Sequence, residues 1–121
     1  MKLQRLEADF SVCKLKSPAG IDLSQTFCFV GKTDGELSLV CETKHVPAET
    51  LARENGWKAF RIVGELDFSL IGILAKISAV LAENGIGIFA VSTYDTDYIL
   101  VKSEHFEKAM GALTRAGYEI T

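Results

Sequence analysis

Proline is scarce in this sequence, with 2 residues among 121, which excludes a proline-rich linker. Long apolar runs are missing as well. The longest candidate, Leu70 to Leu81, is broken by Gly72, Lys76 and Ser78 and falls short of the roughly 18–20 residues a spanning helix needs. No membrane association is expected. The opening Met1-Lys2-Leu3-Gln4-Arg5 lacks the apolar stretch of a secretion signal, so cytoplasmic residence is the expectation. An excess of positive charge is absent too: the net charge is −3 and the pI about 5.4. Nucleic-acid binding usually requires a basic face, so no nucleic-acid partner is expected. The three cysteines, Cys13, Cys28 and Cys41, include no Cys-x-x-Cys pair, and each lies in an apolar segment, as small buried thiols do. His45 near Cys41 is the only close His–Cys pair, and two potential ligands do not make a structural metal site. Neither a metal nor a cofactor is expected.

What is present describes an ordinary folded domain. The hydrophobic fraction of 48% and the charged fraction of 24% argue against long disorder. A chain of this length buries about two-thirds of its unfolded surface and folds without staples. At roughly 150 residues per domain it makes one compact unit, or two very small ones sharing a core, and a large two-domain enzyme is excluded.

The first part reads as strands. Ala8, Phe10 and Val12 alternate with Asp9, Ser11 and Cys13, which is period two. Ser17-Pro18-Ala19-Gly20 breaks the pattern. Phe27 to Lys32 is a second strand, Thr33-Asp34-Gly35 a hairpin turn, and Glu36 to Cys41 a third strand with Leu37, Leu39 and Cys41 on one face. Pro47 and Gly56 suit the start and end of a short helix over Ala48 to Asn55.

The second part is clearer. Trp57 to Val63 predicts a strand with Phe60 and Ile62 on one face. After a loop, Leu70, Ile73, Leu74, Ile77, Val80 and Leu81 form a helical stripe that Asn84-Gly85 ends. Ile86 to Thr93 and Tyr98 to Lys102 are strands of a hairpin joined at Tyr94 to Asp97. Ser103 can cap a second helix with the stripe Phe106, Ala109, Met110, Leu113 and Ala116, and Tyr118 to Ile120 is a last strand. Strand–helix–strand–strand–helix–strand is the α+β, ferredoxin-like split βαβ order: an antiparallel sheet with two helices on one face. The first part repeats it weakly, with its first helix shrunk to Pro18 to Gln25. The chain thus reads as a tandem βαββαβ repeat whose first copy is degenerate, over residues 1–56 and 57–121. Strand exchange is open, and either copy could own the strand over 57–63.

Two segments are polar where the core pattern does not require it. Gly64-Glu65-Leu66-Asp67-Phe68-Ser69-Leu70-Ile71-Gly72 joins a strand to a helix N-terminus, where free N–H groups can seat a carboxylate. Asp67 or Ser69 could instead cap the helix. Gly72, one turn in, suggests close approach of a ligand or a facing chain. Ser92-Thr93-Tyr94-Asp95-Thr96-Asp97 could be a well-built turn, or a set of polar groups converging on a small molecule. With Glu65 and Asp67, its aspartates could form an acidic cluster that suits an ammonium or guanidinium group.

These two segments, continued through Ile73-Leu74 and Tyr98-Ile99-Leu100-Val101, resemble the signature of the ACT-domain superfamily. Within it, the chain is similar to the small tandem-ACT proteins related to the eukaryotic cytosolic arginine sensors. The resemblance is specific from Trp57 to Thr121 and weaker over residues 1–56. It implies two tandem ACT-like units that bind a free amino acid at an interface between units. Phe68, Ser69, Leu70, Ile71 and Gly72 would shape the pocket, and Ser92, Thr93, Asp95, Thr96 and Asp97 would line its polar side. The chain carries one pair of repeats where the sensors have two. A complete interface site then calls for a second chain, and a homodimer is expected. No attached enzyme domain is seen for the unit to regulate.

The sequence has no Ser-His-Asp arrangement, activated-cysteine motif, phosphate loop or metal signature. A non-catalytic amino-acid-binding regulatory module is therefore the leading expectation. The alternative is a protein-interaction or dimerisation module, serving an unidentified protein partner, with no small-molecule ligand.

Overall fold

Residues 1–64 and 71–121 are described in the computed structural model. Their strands are β1 (Lys2–Arg5), β2 (Phe10–Leu15), β3 (Cys28–Lys32), β4 (Leu37–Glu42), β5 (Ala52–Ile62), β6 (Phe89–Ser92), β7 (Asp97–Lys102) and β8 (Glu119–Ile120). Two α-helices, α1 (Ile73–Glu83) and α2 (Phe106–Arg115), and short 3-10 turns at Pro18–Gly20, Thr43–His45 and Ser103–His105 complete them. The chain divides into two units: Ala8–Trp57, and Met1–Glu7 together with Lys58–Thr121.

In the Ala8–Trp57 unit the strand order is β3-β4-β2-β5. The β3–β4 hairpin turns at Thr33, whose hydroxyl accepts from the Gly35 and Glu36 N–H groups, both at 3.1 Å. Cys13, Leu15, Leu37, Leu39 and Cys41 form its buried cluster. Leu37, Leu39 and Cys41 therefore share a buried face, as their spacing predicts. In β2 the buried residues include Ser11, Cys13 and Leu15 besides Phe10, while Val12 is only half-buried. This departs from the expected Phe10/Val12 face. Both faces of β2 carry apolar residues, so alternation alone does not say which turns inward, and an irregularity in the pairing with β5 falls between Phe10 and Val12.

The short helix expected over Ala48 to Asn55 is not formed. Residues from Ala52 onward extend as β5, with Lys14↔Ala52, Cys13↔Arg53 and Val12↔Glu54 as partners, and Gly56 lies inside that strand. The stretch has weak helical preference, and pairing with β2 satisfies backbone groups that a lone short helix would leave to water. The expected 57–63 strand is the latter half of this longer one.

In the other unit the order is β8-β1-β5-β7-β6. β5 is followed by α1, the β6–β7 hairpin, α2 and β8, which is the α+β, ferredoxin-like order. β1 was not foreseen as a strand. It pairs antiparallel with β5 (Leu3↔Ile62, Arg5↔Phe60) and parallel with β8 (Leu3↔Ile120), so the sheet is mixed rather than wholly antiparallel. Leu3, Phe60, Ile62, Ile99 and Val101 from the strands meet Ile77 and Leu81 of α1 and Phe106, Ala109, Met110 and Leu113 of α2 in one core. Burying such side chains contributes about 1.5–3 kcal/mol each.

The stripe of α1 matches its expected spacing over Ile73 to Leu81, and the Asn84 side chain closes the helix by donating to the Val80 carbonyl at 2.8 Å. In α2, Ala112 is buried and Ala116 is exposed, the reverse of the expected edge of the stripe. Ser103 does not cap that helix. A 3-10 turn precedes α2, and His105 stands at its start with no side-chain capping bond. The strand expected over 86–93 is shorter, Phe89–Ser92.

Candidate functional site

The β5 strand ends at Ile62, and the chain passes through Gly64 toward α1. Of the residues expected to shape a pocket on this connection, Phe68, Ser69 and Leu70 lie outside the described residues, as do Glu65 and Asp67. Ile71 and Gly72 are described. Ile71 is 89% exposed. Gly72 takes the N-cap position of α1 at φ +80, a left-handed conformation that glycine adopts without the usual Cβ penalty. Having no side chain, it offers no acceptor to the first-turn N–H groups, which carry the positive end of the helix dipole.

The β6–β7 hairpin holds the other expected residues, and its polar groups are paired with one another. The Ser92 hydroxyl donates to the Asp97 carboxylate at 2.6 Å, across a register pair of the two strands. The Thr93 N–H donates to the Thr96 carbonyl at 2.8 Å, and the Thr93 hydroxyl donates to the same carbonyl at 3.0 Å. Asp95 is exposed at the tip beside Tyr94, itself 81% exposed.

One bond ties this turn to the end of β5. The Thr96 hydroxyl donates to the Ile62 carbonyl at 2.9 Å. The hairpin tip thus meets the end of β5, where the connection to α1 begins. Of the ten expected residues, the five on the hairpin lie together in this turn, and Thr96 is the one bonded to the end of β5.

Sequence reasoning missed the polar contacts behind this end of the sheet. Arg61 of β5 donates from Nε to the Gln4 side-chain oxygen at 3.0 Å and from Nη1 to the Tyr98 hydroxyl at 3.1 Å. Its guanidinium also lies 5.8 Å from the centre of the Tyr98 ring, a cation–π distance. These contacts brace β1, β5 and β7 just below the turn. A cation between the buried Phe60 and Ile62 of the strand was the available signal.

No group of three or more His, Cys, Asp or Glu that could hold a metal occurs among the described residues. No described helix is long and apolar enough to cross a membrane.

The sequence pattern of the ACT domain matches residues 52–115, which contain β5, α1, the β6–β7 hairpin and α2. The chain belongs to the ACT-domain family. No curated protein matches the sequence, but solved structures do. A protein from Agobacterium tumefaciens is 35% identical, with a TM-score of 0.87 over 99% of this chain and 91% of that one. A Vibrio cholerae protein of unknown function, described as a possible transport protein, is 22% identical with a TM-score of 0.74, over 93% and 86% of the two chains. The ligand-free regulatory subunit of aspartate kinase from Thermus thermophilus is 13% identical, with a TM-score of 0.66 over 97% of both chains. The last two likenesses establish the fold alone. ACT domains as a family are regulatory modules.

Proposed function

We propose that this ACT protein is a non-catalytic regulatory module that binds a free amino acid at an interface between ACT units. The observation that carries the reading is the Thr96–Ile62 hydrogen bond. It supports a single site at one sheet end, built from the β5–α1 connection and the hairpin. In this reading Phe68 to Gly72 shape the pocket, and α1 first-turn N–H groups hold the ligand carboxylate. Ser92, Thr93, Asp95, Thr96 and Asp97 line the polar side, with the aspartates facing a cationic group.

The reading includes a homodimer that completes the site from two chains, cytoplasmic residence, and residues 1–56 as a degenerate ACT-like repeat whose first strand, β1, is exchanged into the other unit. The order β3-β4-β2-β5, with 3-10 turns at Pro18–Gly20 and Thr43–His45 where helices would stand, supports that last point. Likeness to a separate regulatory subunit supports a protein partner that receives the signal.

The test is a thermal-shift screen against the twenty amino acids, confirmed by calorimetry and sedimentation. A ligand at about 100 times its Kd stabilises by about 2.7 kcal/mol. A selective shift lost in Asp95→Ala or Asp97→Ala supports the reading. A flat screen in a folded protein overturns it. The exposed Ile71 and Tyr94 favour the second reading, a docking or dimerisation surface indifferent to amino acids, which would then lead.

A further inference from the structure

The Ala8–Trp57 unit holds the cysteines of the chain: Cys13 on β2, Cys28 on β3 and Cys41 on β4. All are free thiols. Cys13 and Cys41 belong to the buried cluster of that unit, and Cys28 packs against the cluster from the first position of the edge strand β3. The thiols thus share one face of one sheet, and the proposed amino-acid site uses none of them.

Register decides which two can join. Cys28 and Cys41 are direct cross-strand partners. In an antiparallel ladder hydrogen-bonded pairs alternate with non-bonded ones. The Thr33 N–H donates to the Glu36 carbonyl at 2.9 Å, so bonded positions recur at Gly31↔Ser38 and Phe29↔Val40. Cys28↔Cys41 falls on a non-bonded position. The other side of β4 agrees. There the Thr43 N–H donates to the Asp9 carbonyl at 2.8 Å, and two residues on, the backbone of Cys41 turns toward Ser11 of β2.

At a non-bonded position the Cα atoms lie about 4.5 Å apart, with the side chains close. A disulfide spans Cα separations of about 4.4–6.8 Å. Cys13 is opposite Leu39 and only diagonal to Cys41. Diagonal neighbours stand about 7–8 Å apart, past the reach of a bridge unless the backbone moves. Exposure then orders the pair. Cys28 is half-buried and Cys41 has no exposed surface. A reagent from solvent meets Cys28 first, with Cys41 shielded behind it.

We infer that Cys28 and Cys41 form a reversible thiol–disulfide site whose co-reactant is a small-molecule disulfide. The Cys28 thiolate attacks one sulfur of that disulfide, and the displaced half leaves as a thiolate. The Cys41 thiolate then attacks the Cys28 sulfur of the mixed disulfide, forms the Cys28–Cys41 bond and expels the second half. Two protein thiols are oxidised and one small disulfide is reduced. The protons lost by Cys28 and Cys41 end on the two released thiols. The new bond ties the β3–β4 hairpin at the end opposite its Thr33–Glu36 turn, so the edge strand is fixed at both ends. Burial holds both thiols above their ordinary range, with the Asp22 carboxylate adding to it at Cys28. Closure is therefore slow at neutral pH and quickens as pH rises.

The test treats the folded full chain with oxidised glutathione at mildly alkaline pH. Tryptic mapping without reduction should find residues 17–32 joined to 33–44, within one chain that has lost two hydrogens. Dithiothreitol should restore both thiols. Cys41→Ala should stop at a glutathione adduct on Cys28. Cys28→Ser, a conservative swap at a half-buried position, keeps the fold and should lose thiols at least about tenfold more slowly. Cys13→Ala should close as the parent does. Amides of 28–32 should exchange more slowly in the closed form.

A folded chain that does not react overturns the inference. So does an adduct on Cys28 that persists in the parent, a bridge to residues 6–14, which carry Cys13, or a bridge between two chains. Unchanged amide exchange in the closed form overturns the fixing of β3.

Discussion

The Thr96 hydroxyl donates to the Ile62 carbonyl at 2.9 Å, joining two segments separated by more than thirty residues of chain. Ile62 is the last residue of β5, so the bond fixes the hairpin tip against the end of that strand.

Replacing Thr96 with Val keeps the shape and removes the donor. The loss of one hydrogen bond to a part-buried carbonyl should cost about 1 kcal/mol. Urea denaturation would show it. Amide exchange should quicken at Thr93 and Thr96 more than in α2. A variant as stable as the parent, with unchanged exchange, would mean the bond positions nothing.

Gly72 tests the entry to α1. At φ +80 a Cβ meets no atom within 4 Å, so Gly72→Ala is opposed by backbone conformation and not by crowding. The left-handed geometry should cost about 1–2 kcal/mol, read as a lower Tm. If Gly72 and its neighbours hold a ligand carboxylate, the ligand-induced shift should fall as well, which separates a site role from a purely structural one.

Ser11 is fully buried within a small polar network. Its hydroxyl donates to the Asn55 side-chain oxygen at 2.6 Å and lies 2.9 Å from the Thr43 hydroxyl, while Arg53 Nε donates to the same Asn55 oxygen at 2.8 Å. Ser11→Ala removes the centre of the network and strands its partners. A loss of about 1–3 kcal/mol is expected, with little effect on binding at the hairpin.

Alkaline pH should loosen the fold through Cys41. Burial pushes its thiol up from 9.0 to about 11, and the Cys13 and Cys28 thiols nearby push in the same direction. Cys28 is its cross-strand partner. The folded chain keeps a proton that the unfolded chain releases near pH 9. The associated stability is complete below that value and lost as pH rises toward about 11. Urea midpoints measured across this window should fall, and Cys41→Ala should fall less steeply. Cys41 should also alkylate more slowly than the half-buried Cys28 in the native protein.

Truncating the core gives the largest effect. Ile77 and Leu81 of α1 have no exposed surface and pack in the cluster of Leu3, Phe60 and Leu113. Leu81→Ala should cost about 2–5 kcal/mol, seen as a drop in the urea midpoint without a change in slope.

The sequence by itself determined the elements whose periodicity is strong and one-sided. The α1 stripe, the β6–β7 hairpin with its Ser92 to Asp97 turn, and the Leu37, Leu39 and Cys41 face are all legible as spacing, because a single buried face writes itself into every second or every third-to-fourth residue. Only the tertiary structure decided the rest. Ala48 to Asn55 has no strong local preference, so pairing with β2 turned its end into strand. Met1 to Arg5 is too short to signal anything alone, and its place between β5 and β8 comes from partners in the middle and at the far end of the chain. The candidate site divides in the same way. Its polar residues could be read from composition, but the bond from Thr96 to Ile62 joins two ends that share no local pattern.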